Sequence, residues 1–115
     1  LKQQTLQITE KLLQEMTDLI VQEANPRKII LFGSHARGTA RADSDLDFLV
    51  VEDGPFNAQR SRRAEMTRMR SILGDYFIPM DFLVFTPQEI EEWKDVRNHV
   101  VSHALREGRT LYESH

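Results

Sequence analysis

Three short apolar runs, separated by stretches of helical period, constrain this chain more than anything else in it. Lys28-Ile29-Ile30-Leu31-Phe32 follows Asn25-Pro26 and stops at Gly33. Leu46 with Phe48-Leu49-Val50-Val51 follows a polar connector, Thr39 to Ser44, and stops at Asp53-Gly54-Pro55. The third run, Phe77 to Phe85, is interrupted early by Pro79. Apolar runs this short, bounded by turn signals, predict buried strands.

Around these runs the period changes. Leu12, Leu13, Met16, Leu19 and Ile20 recur at helical spacing and predict an amphipathic helix over about 8–24. Asn25-Pro26 ends it, because the residue before a proline avoids the helical region. His35-Ala36-Arg37-Gly38 reads as a short helical turn. Residues 57–73 are charged and free of Pro and Gly, which predicts a second long helix closing near Gly74. Thr86-Pro87-Gln88-Glu89 is a helix start, with Thr86 as cap, Pro87 at the first helical position and Glu89 completing a capping box. That helix is expected to run to about Glu107 with a break near Asp95, and Gly108 closes it. Helices and strands thus alternate from helix to helix. The expected fold class is α+β (mixed α/β): one domain over 1–115, with a small mixed sheet flanked by helices.

Composition narrows the chemistry. There is no cysteine, so a metal here must take oxygen or histidine ligands. The net charge of −3 argues against a general nucleic-acid binder, which presents a basic surface, and makes nucleic acid an unlikely direct substrate. No apolar run approaches the roughly 20 residues that span a bilayer. The N-terminal residues given show no secretory pattern, so the expectation is a cytoplasmic protein.

The strand boundaries carry the functional signal. The first strand ends in Gly33-Ser34 ahead of a helical turn, where free backbone amides favour phosphate; Gly33 permits close approach and Ser34 adds a hydroxyl. Alone, this pair reads first as a plain turn. Asp45 and Asp47 sit on the second strand, where residues i and i+2 share a face. Two carboxylates side by side repel unless a cation lies between them, and Mg²⁺ suits such a pair together with substrate phosphates. The competing reading places Asp45 in a turn and only Asp47 in the strand. Asp81 is a third acid, inside the run from Ile78 to Phe85, where a charge is costly unless paired, metal-bound or at an exposed edge. If the second and third strands are neighbours, Asp81 reaches the same ion. Together these residues describe a two-metal phosphoryl-transfer site.

The segment Leu31-Phe32-Gly33-Ser34-His35-Ala36-Arg37-Gly38 through Ser44-Asp45-Leu46-Asp47-Phe48 resembles the signature of the DNA polymerase β-like nucleotidyltransferase superfamily: Gly-Ser, about ten residues, then Asp-x-Asp. It is most similar to the minimal nucleotidyltransferases (MNT), and the ending Glu107-Gly108-Arg109-Thr110-Leu111-Tyr112 looks like that group too. The resemblance implies that Asp45 and Asp47 bind two Mg²⁺ ions. It implies that Asp81 binds the catalytic ion and favours deprotonation of the acceptor hydroxyl, and that Gly33 and Ser34 hold the triphosphate of ATP. Arg37 would contact phosphate or buttress the loop, and His35 takes no role. Larger relatives add a helical acceptor-binding domain, for which these residues leave no room, so the acceptor site would come from another protein. The group pairs with HEPN-type toxins. The implied function is therefore an antitoxin that transfers AMP to a toxin tyrosine, within a homo- or hetero-oligomer. Neutralisation by binding alone, or transfer to a small molecule such as an aminoglycoside, are the alternatives.

Other features read as structural. Arg60, Arg62, Arg63, Arg68 and Arg70 crowd one predicted helix opposite Glu65 alone, and the preferred reading is a solvated face rather than an RNA or partner surface. Arg97 and His103 have the spacing of an arginine–histidine RNase motif, but the alternating strands and helices argue against it. Trp93 reads as core or partner contact.

Overall fold

The computed structural model describes residues 8–41 and 43–114. Helix α1 spans Glu10–Ala24, capped by the Thr9 hydroxyl, which accepts from the Leu12 amide at 3.1 Å. It buries Leu13, Met16, Thr17 and Ile20, and Asn25 ends it in the left-handed conformation at φ 48°. Strand β1 is Lys28–Phe32, and the single turn α2 is Ser34–Arg37. Strand β2 is Leu46–Val51, helix α3 is Arg62–Ile72 and strand β3 is Met80–Phe85. Helices α4, Pro87–Trp93, and α5, Val100–Glu107, lead to strand β4, Arg109–Glu113.

The sheet has the order β3-β2-β1-β4. β1 runs antiparallel to β2 and β4, whereas β2 and β3 are parallel. A parallel pair needs a crossover, and α3 supplies it. On one face α1 and α3 pack Leu13, Met16, Ile20, Met69 and Leu73 against Ile29, Leu31, Phe48, Val50, Phe82 and Val84. Phe48 and Phe82, opposite each other in the β2–β3 ladder, stack at 5.2 Å between ring centres. On the other face Ala104 and Leu105 of α5 and Ile90 of α4 cover Ile30, Leu49, Leu83 and Phe85. Coverage of both faces explains why β2 reads as a nearly unbroken apolar run.

The mixed α+β class is as expected, and four differences in element placement have local causes. The second long helix starts at Arg62 rather than 57, because the Asn57 carboxamide oxygen accepts from the amides of Gln59 and Arg60, and Ser61 then caps. The third strand begins at Met80, after Pro79, which has no N–H to donate. The last helical segment breaks near Asp95 as expected, but the break is wide and leaves two separate helices, α4 and α5. The Thr86–Glu89 capping box opens the first, and His99 opens the second by accepting from the Val101 amide through Nδ1 at 3.1 Å. Strand β4 was not expected from periodicity. Gly108 permits it: a side chain there would overlap the Ala104 carbonyl and Ile30, so only glycine lets the chain leave α5 and lie directly on β1.

Candidate active site

The acids converge at one end of the sheet, on the face covered by α5. Asp47 stands opposite Phe32 on β1 and opposite Asp81 on β3, so the two carboxylates share a rung of the parallel ladder. Alternation puts Asp47 on the face of Leu49, and Asp81 on that of Leu83 and Phe85. Asp45 immediately precedes β2 rather than lying in it. β1 ends at Phe32, opposite Asp47, so no β1 residue is left to pair with Asp45. Leu46 still donates its amide to the Pro79 carbonyl at 2.9 Å, which fixes the chain direction beside Asp45.

Gly33 sits directly over Asp47. It adopts φ 74°, a region costly for side-chain-bearing residues, and a Cβ at 33 would overlap the Asp47 carboxylate oxygen Oδ2. The Gly33 carbonyl accepts from the amides of Ala36 and Arg37, both at 3.1 Å, which leaves the amides of Ser34 and His35 without intrahelical partners. Gly38, at φ 76°, closes the turn. Gly33, Ser34 and Asp47 thus form one compact corner.

Electrostatics report the same convergence. Burial raises the proton affinity of Asp47 above the ordinary carboxylate value, and the charges of Asp81 and then Asp45 raise it further; His35 and Arg37 oppose the rise. Asp81, Asp45, His35 and Arg37 therefore all act on Asp47. His35, given no role by the sequence, has Nε2 at 3.2 Å from the Ser44 carbonyl and so ties the Gly-Ser turn to the residue before Asp45. Arg37 is exposed and pairs with Glu107 at the end of α5 at 3.3 Å.

Oxygen-only donors, three of them carboxylates, suit a hard divalent cation. Among the described residues, however, no three acidic or imidazole side chains are drawn together as a ready ligand set. Asp81 is instead engaged by Arg70 Nη2 at 3.1 Å. The arginine-rich segment is solvated at Arg63, Arg68 and Arg70, as expected, but four of its five arginines are also ion-paired within the chain. Arg60 pairs with Glu52 at 3.2 Å, Arg62 with Glu89 at 2.9 Å and the Val84 carbonyl at 2.6 Å, and Arg68 with Glu65 at 3.5 Å. Arg62 also lies over the rings of Phe56 and Phe85. Arg97 lies in the connection between α4 and α5 while His103 is on α5, so the two do not share a helix. Trp93 is partly exposed and stacks on His99 at 4.2 Å. No helix among the described residues is long and apolar enough to cross a membrane.

A glycine corner with free amides beside a cluster of strand carboxylates is what enzymes that move nucleotidyl groups require: a place for phosphate next to negative oxygens that recruit a cation. The sequence comparison agrees. The nucleotidyltransferase domain matches residues 9–107, and the chain belongs to that family and is a nucleotidyltransferase. Among curated proteins it is 31% identical over 108 residues to "Putative protein adenylyltransferase MJ0604" of Methanocaldococcus jannaschii, covering 90% of this chain and 97% of that one. Among solved structures it resembles a nucleotidyltransferase from Sulfolobus solfataricus with TM-score 0.60 and 19% identity, covering 90% of this chain and 78% of that one. It also resembles a chain from the complex of tri-AMPylated HEPN toxin with MNT antitoxin from Shewanella oneidensis, with TM-score 0.50 and 15% identity, covering 92% and 74%.

Proposed function

We propose that this nucleotidyltransferase is an MNT-type antitoxin that transfers AMP from ATP to a tyrosine hydroxyl of a HEPN-type toxin, using Asp45, Asp47 and Asp81. The observation that carries the reading is the shared rung of Asp47 and Asp81 beneath the Gly33 corner. The adenylyltransferase relative supports AMP as the transferred group, and the toxin–antitoxin neighbour supports the partner.

In the reaction the acceptor oxygen bonds to the α-phosphorus, the bond from that phosphorus to the bridging oxygen breaks, and pyrophosphate leaves. Asp45, Asp47 and Asp81 would hold Mg²⁺, which would supply Lewis-acid activation and neutralise phosphate charge. Gly33 leaves space for the Asp47 carboxylate, and the triphosphate oxygens would accept beside it from the amides of Ser34 and His35 and from the Ser34 hydroxyl. Asp81, on the edge strand β3, faces the acceptor and takes its proton. Arg37 holds α2 to α5, so that the amides stay aimed at the phosphates; its contact with Glu107 makes direct phosphate binding secondary.

The test is co-expression with a HEPN toxin followed by intact-mass measurement of the toxin. The expected result is added AMP, mapped to tyrosine, with wild type, and none with Asp45→Ala plus Asp47→Ala. Full neutralisation by that double variant without added AMP would make binding alone the function.

A further inference from the structure

Arg70 belongs to no motif of the family signature, yet it engages one of the three acids. It sits in the last turn of α3, beside Met69, which is buried on the α1 side of the sheet. Asp81 lies on the opposite, α5 side, with Leu83 and Phe85. β3 is an edge strand, so the Arg70 side chain reaches Asp81 around the open edge of the sheet. Both side chains remain about half exposed, 51% and 55%. An ion pair that wet contributes little to stability and opens readily.

We infer that Arg70 is a positioning residue that acts as a placeholder cation: its guanidinium occupies Asp81 until a divalent ion displaces it. The inference rests on the reading of Asp45, Asp47 and Asp81 as the cation site. Asp47 and Asp81 share a rung, and Asp45 stands just ahead of Asp47, so three like charges converge with a cost that some cation must offset. Arg70 meets part of that need at Asp81, and with Asp81 turned to it the three carboxylates are not gathered as a ligand set. Ion binding then requires Asp81 to exchange one cation for another. The consequence is a metal affinity lower than the carboxylates alone would give. Once released, the guanidinium has the shallow apolar pocket of Leu73, Tyr76, Ile78 and Met80 beside it, which it already lines.

The test is Mn²⁺ binding to the nucleotide-free protein, measured by calorimetry and by the loss of the free-ion paramagnetic signal. Arg70→Ala is expected to tighten the Asp47-dependent site roughly two- to fivefold, the scale of an exposed ion pair. Arg63→Ala removes the same charge from an exposed position on α3 and is expected to change binding far less. Unchanged or weaker binding in Arg70→Ala, or equal tightening in Arg63→Ala, overturns the placeholder role while leaving the carboxylate site standing. Wild-type binding that Asp47→Asn does not reduce overturns the carboxylate site itself, and the placeholder with it. Thermal melts of each variant establish that it is folded.

Discussion

Gly33 is the residue on which the site's geometry turns. Its positive φ and its contact with Asp47 make two separate demands that only glycine meets. Gly33→Ala is expected to reduce AMP transfer at least a hundredfold. The reason is displacement of Asp47, and stability should fall by only about 1–3 kcal/mol, the cost of overpacking one position. Initial rates together with a denaturant melt check both parts; a variant that keeps its rate would show that the corner does not hold the reactive phosphates. At this scale the sequence was legible where chemistry is local. Gly33, Ser34, Asp45 and Asp47 lie within one short stretch, and Asp81 is conspicuous as a charge in an apolar run. Arg70, His35 and Glu107 were not legible in this role. Their partners are set by how elements fold back on one another, and the Arg37–Glu107 pair spans 70 positions.

Between the end of β2 and α3 lies a buried acid away from the reaction. Glu52 is only 3% exposed, and its proton affinity is raised to about pH 7, first by burial, then by a hydrogen bond to Glu65 and by that residue's charge; Arg60 and Arg68 oppose the rise. Oε2 of Glu52 and Oε2 of Glu65 are both buried without a hydrogen-bond partner. Because the folded carboxyl holds its proton to a higher pH than the unfolded one, its contribution is complete below pH 4.5 and is lost as pH rises towards about 7. The loss is on the order of 2–3 kcal/mol across that window. Urea unfolding at pH 5 and pH 8 should therefore show lower stability at the higher pH, and Glu52→Gln should flatten the difference and gain stability at pH 8. Equal pH dependence in the variant would place the titration elsewhere. The elements themselves were legible to unequal degrees. Helix α1 and strands β1 and β2 declare themselves by period and by proline or glycine boundaries. Strand β4 is short, charged at both ends and half exposed at an edge, so its pairing with β1, rather than its composition, makes it a strand.

At the scale of the whole molecule, two layers of helices position four strands so that an edge strand, β3, and an interior one, β2, present acids on a common face. Parallel pairing is what brings Asp47 level with Asp81, and that pairing follows from the crossover through α3. The expected mixed α+β class is what the sheet shows; its strand order and the arginine pairs that tie α3 to β3 and α4 emerge only in three dimensions. In the proposed function this face transfers the α-phosphoryl group of ATP, with its nucleoside, to a partner hydroxyl. The most direct measurement supplies ATP labelled at either the α- or the γ-phosphorus to the purified pair of this protein and a HEPN toxin with Mg²⁺. The expected result is label on the toxin from the α position, none from the γ position, and loss of the signal in Asp47→Asn. Label arriving from the γ position, or α-label transferred equally well by Asp47→Asn, would contradict the account.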